Sequence, residues 1–168
     1  DHLLVSNALG SGVLFAAAMQ AEPCSAFLDS ALVKMNESQY SLFQSLVDLQ
    51  FNYPDLDRIH ACTDITGFGL LGHLGEMINF TNYNRLNEGL SPLQIKLYAD
   101  SIHAFEGVPY LIDSGYFSSL APANRTSWNL LNETDQKPAP IALDLGDIKF
   151  GSQEYQNFLE LIIDPQTC

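Results

Sequence analysis

Basic residues are scarce in this chain, which carries 7 Lys and Arg against 20 Asp and Glu, a formal net charge of -13. Binding to nucleic acid or to an anionic membrane surface relies on clustered positive charge, so this balance argues against both partners. An anionic ligand would need a metal ion, a helix N-terminus or a partner chain to offset the charge. Most of these carboxylates are typical of a surface that favours solubility.

Long apolar runs and paired cysteines are also missing. No uninterrupted apolar run reaches the ~18 residues of a membrane span, and the first residues lack the basic flank and apolar core of a signal segment. Cys24, Cys62 and Cys168 are far apart and have no CxxC spacing, which predicts neither a zinc site nor a disulfide framework. We therefore expect a soluble cytoplasmic protein in a reducing compartment.

The chain does have the material for a core. Of its 168 residues, 46% are hydrophobic and 16% are charged, which fits one domain over residues 1–168. Apolar residues at helical spacing predict helices over residues 12–21, from residue 25, over 38–50, beyond 69 and over 109–112. Alternating or buried apolar runs predict strands over residues 2–5, 58–63, 93–99 and 141–146.

The remaining segments have weaker patterns. Residues 79–91 and most of residues 114–140 are predicted to be loop, and residues 154–164 fit a helix or a strand. Helices that alternate with separate strands predict an α+β or α/β domain with a sheet backed by helices.

The stretch ACTDITGFGLLGH, residues 61–73, combines one carboxylate with a glycine-rich turn. Asp64 falls between a predicted strand and a predicted helix, where loops at a sheet edge collect ligands. A carboxylate there suits Mg²⁺, which uses one or two protein carboxylates and takes its other oxygens from water and phosphates. Gly67 and Gly69 would let backbone N–H groups approach such phosphates. The residue pattern alone favours the alternative, in which Asp64 and Thr66 cap the next helix.

Neighbouring features are less specific. Gly10 and Gly12 form a lone GxG before a helix, which is typical of a plain turn. His73 and Glu76 stand three apart on the predicted helix, but the second His of a helical zinc pair is missing. We interpret them as surface residues or as supports of site residues. Cys62 is predicted to be a small buried side chain rather than a nucleophile.

Four segments carry a resemblance to a known family. HACTDITGFGLLGHLGEM, residues 60–77, looks like the signature in the second domain of selenophosphate synthetase (selenide, water dikinase). LVSNALGSGVLFAAAM, residues 4–19, resembles that family's Leu-Thr-Lys-Pro-Leu-Gly-Thr-Gly-Val-Leu opening. GYFSSLAPANR, residues 115–125, resembles its Ser-Ser-Leu-x-Pro-x-Asn segment, and DPQTC, residues 164–168, the start of its Asp-Pro-Gln-Thr-Ser-Gly-Gly loop. The four segments occur in the family's order from one end of the chain to the other.

This resemblance implies a C-terminal domain of the aminoimidazole-ribonucleotide synthetase-like superfamily, an α+β layer structure with a mixed sheet backed by helices. In that family, two domains per subunit and a dimer of subunits build a site for ATP and Mg²⁺, and the enzyme makes selenophosphate from selenide, ATP and water. Asp64 matches the metal-binding aspartate of the C-terminal domain, so the resemblance favours a metal ligand over a cap. It also implies Mg-ATP contacts from Thr63, Thr66, Gly67, Gly69, Gly10 and Gly12.

The chain departs from the family pattern in three places. The catalytic Cys or selenocysteine, its Lys and the other metal aspartates belong to the family's N-terminal domain, so we expect this chain alone to be inactive. Asn7 and Ala8 replace a Lys-Pro pair. The chain stops at Cys168, a Ser position in the family, where the family continues with Gly-Gly and further strands. We therefore expect an incomplete domain, with an unpaired strand edge or a tendency to self-associate.

Three functional hypotheses remain open on the sequence. The first is the C-terminal half of a selenide, water dikinase, with its own N-terminal domain and a second subunit as partners. The second is a non-catalytic dimerisation or scaffold module derived from that fold. The third, another synthetase of the superfamily, ranks last because residues 63–73 and 118–125 are closer to the selenium enzyme.

Overall fold

The structure is a computed structural model that describes residues 1–53, 59–132 and 140–166. Helices dominate these ranges, and a short sheet accompanies them, which is compatible with the predicted α+β class. In chain order the elements are α1 (Ser11–Met19), α2 (Ser25–Met35), α3 (Tyr40–Asn52), α4 (Gly69–Asn87), β1 (Ile95–Tyr98), a 3-10 turn (Ala99–Ser101), α5 (Val108–Asp113), α6 (Ala121–Asn132), β2 (Ile141–Asp144) and α7 (Gln153–Ile163).

The sheet consists of β1 and β2, both of which the sequence predicts. The strands run parallel, with Ile95 opposite Ile141 and Tyr98 opposite Asp144. Parallel neighbours need a long crossover, and α5 and α6 lie between the two strands in the chain. Within the described ranges this parallel pair is the whole sheet, so the layered mixed sheet stays a prediction.

The core lies where α1, α4, α5 and α7 meet the sheet. The predicted apolar stripe of α4 is confirmed, since Leu70, Leu71, Leu74 and Ile78 are buried and Met77 packs against the same core. This packing holds the end of α7 against α1 and α4 and so fixes where residues 164–166 lie. Side chains with no exposed surface in this core are Leu14, Ala17, Leu71, Val108, Leu111 and Ile162.

Helix α4 continues through the residues predicted to begin a loop. It ends at Asn87, so the predicted loop over residues 79–91 is wrong for its first nine residues. The buried amide of Asn82 explains the extension. Its Oδ1 accepts from the N–H of Leu93 at 2.7 Å and its Nδ2 donates to the Leu93 carbonyl at 2.9 Å. These bonds tie the later turns of α4 to the segment that leads into β1.

Two predicted strands do not form. Residues 2–5 have no regular structure, although Leu9 makes a single parallel bridge to Ala104. Residues 59–63 also lack strand pairing and are exposed, and residue 58 of that prediction lies outside the described ranges. An extended segment needs a neighbour for its backbone hydrogen bonds, and no described segment pairs with either one.

The last part of the chain is more helical than its pattern predicts. Residues 114–140 were expected to be mostly loop, yet α6 covers Ala121–Asn132. Pro122 suits the first turn of α6, where a missing N–H removes no helical bond. The pattern of residues 154–164 fits either a helix or a strand, and in the structure these residues form most of α7. The Ser152 side chain caps this helix by accepting from the N–H of Tyr155. Residues 133–139 lie outside the described ranges.

Helix α3 forms as predicted but does not bury its apolar residues. None of its 13 residues is buried, and Phe43 and Phe51 are 62% and 84% exposed. Across the described ranges, no helix is both long and apolar enough to cross a membrane.

Candidate functional site

Four segments of the chain meet where α7 ends. They are residues 10–13 at the start of α1, residues 64–69 before α4, the start of α6 around Asn124, and residues 164–166 after α7. All four belong to the motifs that carry the family resemblance. Their contacts with one another are made largely through backbone groups and three polar side chains, those of Asn124, Asp164 and Gln166.

The side chain of Asp164 caps the N-terminus of α1. Its Oδ2 accepts from the N–H of Gly12 at 2.9 Å and from the N–H of Val13 at 3.3 Å. A carboxylate is favoured there because a helix N-terminus has unpaired N–H groups and a partial positive charge. Burial nevertheless raises the pKa of Asp164 from 3.8 to about 7, although the hydrogen bonds from Val13, Gly12 and Gln166 oppose that shift.

The side chain of Gln166 completes the cap. Its Oε1 accepts from the N–H groups of Gly10 and Ser11, at 3.0 and 3.2 Å, while its Nε2 donates to the carbonyl of Asp164 at 2.9 Å. The amides of Gly10 and Gly12, which the resemblance assigns to nucleotide contact, therefore bind the chain's own residues 164 and 166. A phosphate could reach these two amides only if that segment moved.

Asn124 joins the loop before α4 to the end of α7. Its buried Nδ2, in a residue that is 7% exposed, donates to the carbonyls of Gly67 and Ile163, both at 2.9 Å. A backbone bond from the N–H of Gln166 to the carbonyl of Thr66, also 2.9 Å, runs alongside. The loop is thus fixed from two sides, and its outer surface is left accessible.

Close approach of backbone explains two of the predicted site glycines. A Cβ added at Gly12 would lie 2.4 Å from the carbonyl oxygen of Pro165, and one at Gly69 would lie 2.6 Å from that of Ile163. Gly69 also has a φ of 67°, which disfavours other residues. Gly67 differs, because no heavy atom of the described structure lies within 4 Å of its added Cβ. That open face is where a ligand could approach the loop.

Asp64 and Thr63 are exposed in the same loop, and Thr66 is partly buried. Helix α4 begins at Gly69 after Phe68, and no side chain caps it. The alternative in which Asp64 and Thr66 cap this helix is therefore wrong, because the sharp turn at residues 67–68 places both residues before the helix N-terminus. The carboxylate of Asp64 is left without a capping role.

Two further predictions concern neighbours of this loop. His73 is 9% exposed and its Nε2 lies 3.1 Å from the Thr66 hydroxyl oxygen, so it supports a site residue and is not at the surface. Glu76 is exposed and lies on the other side of the His73 ring. Cys62 is exposed, so its predicted burial is wrong. The reason is that residues 59–63 do not join a sheet.

The donor set fits a cation that needs few protein ligands. Among the described residues no three His, Cys, Asp or Glu side chains come close enough to hold a metal ion together. Zinc and calcium sites usually take several ligands from one protein, whereas Mg²⁺ often takes one or two carboxylates and the rest from water and phosphate. The exposed carboxylate of Asp64 suits Mg²⁺ in that limited role.

Sequence reasoning did not single out Asp164, Gln166 or Asn124 as important residues. They lie far from residues 10–13 and 64–69 in the chain, so spacing gives no indication of the contact. The family resemblance did point to them, because Asn124 lies in the resembling segment 115–125, and Asp164 and Gln166 lie in the resembling segment 164–168.

Comparison with known proteins agrees with the resemblance. Residues 2–94 match the family model described as AIR synthase related protein, C-terminal domain. Over 167 residues the chain is 29% identical to a selenide, water dikinase of Desulfitobacterium hafniense, covering 99% of this chain and 38% of that protein. It is 31% identical over 126 residues to a selenide, water dikinase of Trichlorobacter lovleyi, covering 75% of this chain and 31% of that protein.

The chain thus spans less than two fifths of the length of these curated relatives. The match to the family model covers more than half of the chain and includes α1 to α4, with both the glycine turn before α1 and the Asp64 loop. The resemblance to selenophosphate synthetase read from the motifs is confirmed by relatives that match nearly the whole chain. This chain belongs to the family of AIR synthase related C-terminal domains.

Proposed function

We propose that this chain is the C-terminal part of a selenide, water dikinase, which makes selenophosphate from selenide, ATP and water. The observation that carries the proposal is that all four family-like segments meet where α7 ends, beside the loop that holds Asp64. Gln166 and Asn124 bind this loop at Thr66 and Gly67, and its exposed Asp64 carboxylate caps no helix. A layered domain with a mixed sheet, cytoplasmic location and pairing into a homodimer form part of the same proposal.

In this proposal Asp64 holds Mg²⁺ and the loop around it contacts ATP. When bound, Mg²⁺ would neutralise phosphate charge in a protein that is otherwise strongly acidic. Asp64 would supply one anionic oxygen, and Thr63 and Thr66 would offer hydroxyl groups beside it. Gly67 would let a phosphate approach the loop closely, because its face is open. Three glycines, Gly10, Gly12 and Gly69, would act by keeping residues 64–69 and 164–166 in place. Direct contact of these glycines with ATP stays a prediction.

Among the described residues one carboxylate, that of Asp64, is assigned to the metal, so further protein ligands would come from another domain. We propose that an N-terminal domain of the same polypeptide supplies them, together with the nucleophile, and that the chain alone is inactive. The exposed apolar residues of α3 support a partner surface, because a helix with no buried residue gains by being covered.

The test is selenide-dependent formation of AMP by the complete polypeptide that contains this chain. The Asp64→Asn variant removes one negative oxygen without a change in volume, so we expect activity to fall by at least about a hundredfold. Asp147→Asn makes the same charge change in the exposed turn after β2 and should leave activity unaltered. Circular dichroism would check that both variants fold. Full activity in the folded Asp64→Asn variant would contradict the assignment.

A second candidate is a non-catalytic module that keeps this fold for dimerisation or scaffolding. Asn7 and Ala8 favour it, since they stand where the family has Lys-Pro and so remove a cation from the opening of the domain. An unaltered complete polypeptide that forms no AMP from selenide and ATP, yet dimerises, would select this candidate.

A further inference from the structure

Three polar side chains form a line from the surface of α4 to the Asp64 loop. Glu76 Oε2 lies 3.4 Å from Nδ1 of His73, one turn apart on the helix. On the opposite edge of the ring, His73 Nε2 lies 3.1 Å from the Thr66 hydroxyl oxygen. The imidazole is nearly buried, with 9% of His73 exposed, and it packs beside the ring of Phe68, with centroids 5.6 Å apart.

The charge of Glu76 determines which ring nitrogen of His73 carries the proton. The carboxylate lies at ion-pair distance from Nδ1, and its negative charge stabilises the proton of a neutral imidazole on that nitrogen. Nε2 then has a lone pair and no proton, and it must accept. The hydroxyl of Thr66 therefore donates its proton to His73. A hydroxyl has one proton and two lone pairs, so both lone pairs of the Thr66 oxygen remain available on its other side.

We propose that His73 and Glu76 are positioning residues that orient the Thr66 hydroxyl, leaving its oxygen free to accept from or coordinate a ligand next to Asp64. Thr66 is partly exposed and lies two residues from Asp64, so the same short loop carries the oriented hydroxyl and the carboxylate. The ligand side of this inference rests on the proposed function, in which Mg-ATP binds there. The orientation itself rests on the contacts alone.

The orientation is tested first, without any ligand. Long-range ¹H–¹⁵N NMR of the imidazole groups in the full chain at pH 8 reports which ring nitrogen carries the proton. We expect His73 to be protonated at Nδ1 with an unprotonated Nε2. Glu76→Gln removes the carboxylate from an exposed site and should shift His73 toward a mixture of the two tautomers. Glu88→Gln, at the end of α4, is the matched control and should change nothing.

The ligand side is tested by titrating the complete polypeptide that contains this chain with Mg-ATP and following backbone amide signals of residues 63–69. Partners that orient a ligating group typically affect affinity by a factor of about ten or more. We expect Thr66→Val and Glu76→Gln to weaken binding about tenfold, whereas Thr66→Ser, which keeps the hydroxyl, should bind like the unaltered chain.

The outcomes separate the two proposals. A proton on Nε2 in the unaltered chain, or an unchanged tautomer in Glu76→Gln, would overturn the orientation of Thr66. Equal Mg-ATP affinity in Thr66→Val and the unaltered chain would overturn its role toward the ligand. If Mg-ATP does not bind the unaltered complete polypeptide but His73 has the expected tautomer, the proposed ligand is wrong and the positioning of Thr66 stands.

Discussion

The carboxylate of Asp164 lies at the N-terminus of α1, where its Oδ2 accepts from two backbone N–H groups. Its other oxygen, Oδ1, is buried and has no hydrogen-bond partner among the described residues. One oxygen is therefore stabilised by the helix while the other has lost its water. This loss of water explains why burial raises the pKa of Asp164 to about 7, so that the carboxyl group is partly protonated near neutral pH.

Protonation of Asp164 makes stability depend on pH. Burial raises the pKa of Asp164 to about 7, above its value in the unfolded chain, so the folded state binds the proton more tightly. The free energy of unfolding contributed by this group is highest below about pH 4 and falls as the pH rises toward 7, by at most about 1.4 kcal/mol per pH unit. Urea unfolding at pH 5, 6 and 7 should therefore show a shallower decline in Asp164→Asn. Asp48→Asn is the control, and equal slopes in all three proteins would contradict the assignment.

Asn124 is the second residue on which the site depends. Replacing it with Ala leaves the carbonyls of Gly67 and Ile163 without their donor in a buried place. We expect a loss of about 1–3 kcal/mol in the free energy of unfolding, measured by urea denaturation. Asn84→Ala, on the exposed face of α4, should change it by less than about 0.5 kcal/mol. Equal losses in the two variants would show that the Asn124 bonds contribute little.

At the scale of elements, local pattern predicted helices better than strands. Helices α1, α2, α3 and α5 and the start of α4 could be predicted because their apolar spacing or caps are local features. Residues 2–5 and 59–63 have strand-like composition but no described neighbour to pair with, and pairing is decided by distant residues. The end of α4 was missed for the same reason, since Asn82 is held by Leu93. The loop of Asp64 was predictable from its motif, whereas its attachment to residues 163–166 was not.

Helix α1 packs directly against the segment that follows α7. The space at Gly12 is too small for a side chain. In Gly12→Ala the new methyl group would meet the carbonyl oxygen of Pro165 at 2.4 Å and Oδ1 of Asp164 at 2.7 Å. Both atoms belong to a packed segment, so we expect destabilisation of about 1–3 kcal/mol in urea unfolding. Gly67→Ala adds the same methyl group where nothing lies within 4 Å and should leave the stability nearly unaltered. A Gly12→Ala variant as stable as Gly67→Ala would mean that residues 164–166 are free to move away.

At the scale of the whole molecule, charge and exposed apolar surface act in opposite directions. The formal charge of -13 repels a second copy of the chain, whereas α3 presents apolar side chains and a single charged residue, Asp48. The ion pairs that the structure describes at the surface, such as Lys34 with Glu37, are exposed and contribute little. Unpaired negative charge should therefore dominate the electrostatics of the folded chain.

Self-repulsion of this kind predicts how salt affects stability. A compact chain of charge -13 brings its carboxylates closer than the unfolded chain does, so screening by NaCl should raise the free energy of unfolding at pH 7.5. Urea unfolding at 10 and 300 mM NaCl measures the change. The same pair of measurements near pH 4.3, the isoelectric point of the sequence, is the control, because the net charge is then close to zero and the effect of salt should nearly vanish. A loss of stability with salt at pH 7.5 would show that attractive ion pairs outweigh the repulsion.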